Sequence, residues 1–90
     1  MDEVALVKRF IIESLLTPPR WGGKHTELRN VVKGVPSNLS QSKVGQKAIE
    51  KALKELTNSG WLFCKKSTGE IHVSLNLRMK KEIMEFIIGS

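Results

Sequence analysis

The chain has one cysteine, Cys64, and no tyrosine. A lone cysteine cannot close an internal disulfide, so the fold must be held by packing, as suits a reducing compartment. Long apolar runs are also missing: the uninterrupted apolar segments are only a few residues, and no basic stretch followed by an apolar one opens the chain. A signal peptide and a membrane span are therefore not expected, and a cytoplasmic protein is. His25 and His72 lie far apart, with no Cys-x-x-Cys or His-x-x-x-His spacing, so neither a metal site nor a catalytic histidine is expected. The run Gly22-Gly23-Lys24-His25-Thr26 lacks the spacing of a phosphate-binding loop, and no apolar strand precedes it. The expectation is a non-enzyme with no cofactor and no small-molecule substrate. Internal repeats and low-complexity tracts are absent as well.

What is present is one domain's worth of chain, 90 residues with 40% hydrophobic and 27% charged side chains. Its net charge of +6 is unevenly spread. Residues 20–66 contain ten bases (Arg20, Lys24, Arg29, Lys33, Lys43, Lys47, Lys51, Lys54, Lys65 and Lys66) against Glu27, Glu50 and Glu55, while both ends are near neutral. A localised positive field favours a polyanionic partner.

The hydrophobic periodicity predicts four helices. Val4, Leu6, Val7, Phe10, Ile11, Leu15 and Leu16 form a wide stripe over about residues 2–16, stopped by Pro18 and Pro19. Trp21, in the extended stretch that follows, reads as a core anchor. A short helix is expected over about 26–33, capped by Thr26 and ended by a left-handed Gly34. In the stretch from Ser37 to Gly60, with the regular helix over about 41–58, Val44, Ala48, Ile49, Ala52, Leu53 and Leu56 make a core face. Ser42, Lys43, Gln46, Lys47, Glu50, Lys51 and Lys54 make a polar one. Gly45 is costly inside a helix; its missing side chain suits either a later helix start or a close approach by the preceding helix.

Asn58-Ser59-Gly60 ends this helix, and Trp61–Asn76 reads as a hairpin turning at about Lys66–Glu70. Leu62, Cys64, Ile71, Val73 and Leu75 are expected inside; Trp61 and Phe63 must pack on the terminal helices or stay partly exposed. Asn76 caps a last helix over about 77–88, with Met79, Ile83, Phe86 and Ile87 on one side.

With these elements in place, the helix-turn-helix TELRNVVKGVPSNLSQSKVGQKAIEKALKELTNSG and the hairpin WLFCKKSTGEIHVSLN resemble the winged helix-turn-helix domain over nearly the full length. The join L-x-x-S-G-W-L and the closing V-S-L-N carry the likeness. WGGKHT, KGVP and VSLN together also resemble short archaeal winged-helix proteins of unassigned function. The resemblance implies an α+β, mainly α fold: a three-helix core, a two-stranded wing and an extra C-terminal helix. It also implies that the long helix enters the major groove while the wing touches the backbone or minor groove. Two features depart from that pattern: the wing tip is short and contains Glu70, and the long helix has no arginine, the commonest guanine reader.

The expected partner is double-stranded DNA, for a transcription regulator or a chromatin-associated factor. Ser42, Lys43, Gln46 and Lys47 would reach base edges; Lys51 and Lys54 would face the backbone; Lys24, His25, Arg29, Lys33, Lys65 and Lys66 are phosphate-contact candidates. The alternative is a winged-helix protein-protein interaction module, with Trp61, Phe63 and the terminal helices as its surface. A homodimer through the first and last helices is a further expectation.

Overall fold

The computed structural model describes residues 2–89. The chain is α+β and mainly helical: α1 (Glu3–Leu16), β1 (Thr26–Glu27), α2 (Leu28–Val32), α3 (Ser37–Ser40), α4 (Lys43–Asn58), β2 (Leu62–Ser67), β3 (Glu70–Leu75), a 3-10 turn (Leu77–Met79) and α5 (Lys80–Ile88). Asp2 starts α1 by accepting the Ala5 N–H at 2.8 Å. Val7, Ile11, Ile12 and Leu15 of α1 then bury against Ala48, Ile49, Ala52 and Leu56 of α4, closed off by Leu62, Val73, Leu75 and Ile83. Each fully buried Leu or Ile contributes roughly 1.5–3 kcal/mol. α5 covers the second side of the α1 stripe, with Ile83 in the core and the Arg9 guanidinium donating to the Ile87 carbonyl at 2.8 Å.

The sheet has the order β1-β3-β2 and is antiparallel throughout. Residues Leu62 to Ser67 pair with Leu75 to Glu70, which leaves Thr68 and Gly69 as the two turn residues. Both have positive φ, 42° and 81°, the requirement of a two-residue hairpin turn whose twist matches the strands. Gly60 is the other left-handed position that matters. Its N–H bonds Thr57 O at 3.1 Å and Trp61 N–H bonds Leu56 O at 3.1 Å, the paired hydrogen bonds of a glycine-terminated helix. Trp61 rests edge-on against Phe86 with ring centroids 5.7 Å apart, and Trp21 packs on the core beside Leu75, as expected of both.

Several expectations are corrected. The helix expected over 26–33 is shorter, because Thr26 and Glu27 pair with Val73 and His72 as a strand; Thr26 therefore caps nothing, and Glu27 occupies the cap position without its side chain bonding the helix's free N–H groups. Gly34 is not left-handed. It allows close approach to α1, since a Cβ there would stand 2.3 Å from Ser14 Oγ. The stretch from Ser37 breaks into α3 and α4, with Ser42 as the cap of α4, so Gln41 lies outside the helix. The last helix opens with a 3-10 turn at Leu77–Met79.

Val44, placed on the core face by periodicity, is 63% exposed, because it sits in the first turn of α4 beyond the edge of the core. Cys64 is exposed and its sulfur lies 3.4 Å from Thr57 Oγ1; Ile71 is exposed too. Ile71 lies where the hairpin runs out past Val73, whereas Cys64 pairs with the buried Val73 but sits on the edge strand β2, whose one buried residue is Leu62.

Candidate nucleic-acid interface

The polar side of α4 is built by the spacing of its lysines. Lys43, Lys47, Lys51 and Lys54 are all exposed, and Ala48, Ile49, Ala52 and Leu56 turn the opposite side into the core. Lys43 and Lys47 are one turn apart in the first half of the helix, so their ammonium groups share a face. Glu50 is the one carboxylate among them. Gln46 is exposed, but its Nε2 donates to Ser40 O at 3.2 Å, so the amide is oriented by α3. Ser42 is fully engaged within the module: its hydroxyl accepts the Gly45 N–H at 2.9 Å and donates to Leu39 O at 3.3 Å. The hydroxyl is a helix cap whose one proton is spent on Leu39, so it has no donor left to offer a base.

Lys65 and Lys66 are exposed on β2, opposite His72 and Ile71. Lys24 and Lys33 are exposed at either end of the β1–α2 segment, and among the described residues no ion pair holds either. Arg29 and His25 are placed differently. The Arg29 guanidinium bonds Glu27 Oε2 at 2.5 Å and lies 3.6 Å from Glu70 Oε1 across on the hairpin tip. The other oxygen of Glu70 lies 3.6 Å from His72 Nε2, and His72 Nδ1 meets His25 Nδ1 at 2.9 Å. The Arg29 bond holds the Glu27 carboxyl below its ordinary value, and the same bond pushes Arg29 upward. This corner is a self-paired network with two carboxylates for one guanidinium.

The network closes one end of an open groove of about 880 Å³ between α2, the turn into α3 and the hairpin tip, with Leu28, Val32, Pro36 and Ile71 in its wall. A second groove, about 690 Å³, runs between the start of α1 and the first half of α4 and includes Val44, Lys47 and Lys51. Among the described residues no three His, Cys, Asp or Glu side chains are grouped to hold a metal ion, and no helix is long and apolar enough to cross a membrane.

The structure thus brings the four lysines of α4 to one side and leaves Lys24, Lys33, Lys65 and Lys66 exposed around the sheet and α2. Sequence reasoning missed the carboxylates that hold Arg29, because Glu27 and Glu70 meet only through the β1–β3 pairing. It also missed the exposure of Val44, for which the later helix start at Ser42 was the available signal. Compared with known proteins, the chain matches no family model, no curated protein and no solved structure.

Proposed function

We propose that the protein is a winged helix-turn-helix DNA-binding protein, a transcription regulator or chromatin-associated factor. In this reading α2, α3 and α4 form the helix-turn-helix, α4 lies in the major groove and the β2–β3 hairpin follows the backbone as the wing. The observation that carries it is the segregation on α4: Lys43, Lys47, Lys51 and Lys54 exposed on one side, a fully used core face on the other. Lys65 and Lys66 on the hairpin extend the basic surface.

The test is an anisotropy titration against random-sequence duplex DNA at several salt concentrations. Four to six neutralised phosphates give a slope of log affinity on log salt between about −3.6 and −5.4. Binding that does not respond to salt, or none at low salt, removes the reading.

Phe63, 50% exposed on β2, and Leu77, 57% exposed, favour a second reading in which the same fold binds protein. Charge reversal at Lys43 and Lys47 separates the two, since it abolishes DNA binding and leaves an apolar protein contact intact. A homodimer through the first and last helices, α1 and α5, with Ile88 of α5 74% exposed, would address two half-sites. A monomer by light scattering at micromolar concentration removes that proposal.

A further inference from the structure

Resting on the DNA-binding reading above, we infer that Val44 is a specificity-determining residue that reads the 5-methyl group of thymine. Val44 is 63% exposed in the first turn of α4, and it belongs neither to the core nor to the shell of partly buried residues around it. Fold stability therefore gives no account of an aliphatic side chain at this position. Lys43 and Lys47 neighbour it on the helix, and the groove beside it is lined by Asp2 and Glu3 as well as by Lys47 and Lys51.

A base edge in the major groove offers one apolar feature, the thymine methyl, and that is the feature an aliphatic side chain can recognise. The other candidates for base reading are less suited. Lys43 and Lys47 are flexible point charges, Ser42 is committed to the helix cap, and one N–H of Gln46 is used on Ser40. Valine is β-branched and held to a single rotamer in a helix, so its methyl groups are already fixed before DNA arrives. Gly45, in contact with Leu39, fixes the turn of helix that carries it.

The experiment uses two duplexes of alternating sequence, dA·dT and dA·dU, which differ only in the 5-methyl groups. They are titrated with the full chain and with Val44→Ala. The wild type should bind the thymine duplex tighter by about fourfold for each methyl buried. Val44→Ala, at an exposed site where alanine favours the helix, should lose most of the thymine preference, since its single methyl reaches less far, and keep the wild-type salt slope. Equal affinity of the wild type for the two duplexes overturns the inference and leaves the DNA reading standing. So does a thymine preference that is undiminished in Val44→Ala. Absence of salt-dependent binding to either duplex overturns both.

Discussion

A Cβ atom on Gly45 would stand 1.7 Å from the carbonyl oxygen of Leu39. The backbone of α3 therefore lies directly on the first turn of α4, at a distance that only a glycine permits. Ser42 completes the joint by bonding the carbonyl of Leu39 on one side and the N–H of Gly45 on the other. The direction in which Lys43, Val44 and Lys47 point is set by this packing, because it fixes the helix that bears them against the preceding turn.

Gly45→Ala should consequently destabilise the protein, although alanine is the better helix former by about 1 kcal/mol. The clash is with backbone, so α3 must move; overpacking of this kind costs about 3 kcal/mol or more, and the net loss should be at least about 2 kcal/mol. Urea denaturation followed by circular dichroism measures it. An unchanged or raised midpoint would mean that α3 does not sit on α4.

Lys43 and Lys47 should each contribute to affinity through charge. Alanine at either position should reduce the magnitude of the salt slope by about 0.9 for every phosphate that is no longer neutralised, at constant thermal stability, since both side chains are exposed. The double substitution to glutamate should abolish binding at physiological salt. If the double variant binds duplex DNA as the wild type does, α4 is not the helix that meets DNA.

The repeated spacing of large aliphatic residues made the core legible in the sequence. Val7, Ile11 and Leu15 recur along α1, and Ala48, Ile49, Ala52 and Leu56 along α4, so the buried faces follow from helical geometry. Periodicity gives direction but not distance from the core, and this is why Val44 and Cys64 were misplaced: both point toward the core side of their elements but lie past its edge. The strand β1 was not legible, because two residues carry no period and its identity comes from pairing with Val73 and His72. The same pairing brings His25 to His72 and Glu70 to Arg29, neighbours for which the local sequence holds no sign. On the candidate site, the four lysines of α4 were legible from the same helical geometry, whereas the commitment of Ser42 to the cap required the position of Leu39.

Arg29 and Lys33 should differ in their effect on DNA affinity, although both are exposed bases of the same segment. Two carboxylates already face Arg29, so a phosphate must compete with Glu27 and Glu70 for it. Lys33→Ala should lower the salt slope, Arg29→Ala should change it little, and Glu70→Gln should raise affinity by removing a negative charge from the hairpin tip. Anisotropy titrations of the three variants at two salt concentrations check this. A larger loss for Arg29→Ala than for Lys33→Ala would show that the guanidinium leaves its carboxylates for DNA.

Lys8 on α1 and Glu55 on α4 form an ion pair at 2.6 Å, a side-chain link across the main helix interface. The hydrogen bond from Lys8 holds the Glu55 carboxyl below its ordinary value. Unfolding separates the two helices and restores the ordinary value, so the unfolded chain binds more protons in the interval between them. Stability from this pair is therefore fully present above the ordinary glutamate value, about 4.3, and is lost as pH falls through the folded one. Glu27, lowered by Arg29, acts in the same direction. Glu55→Gln removes the charge while keeping the shape, and at strongly acid pH it resembles the protonated wild type. Its melting temperature should lie below that of the wild type near neutral pH and converge with it well below pH 4.3 or so. The variant should still soften in acid, through Glu27. A gap between the two proteins that stays constant across the acid range would mean that it does not arise from the charge of Glu55, and no gap near neutral pH would mean that a neutral side chain makes the Lys8 link equally well; either outcome removes the charge from what holds α1 on α4.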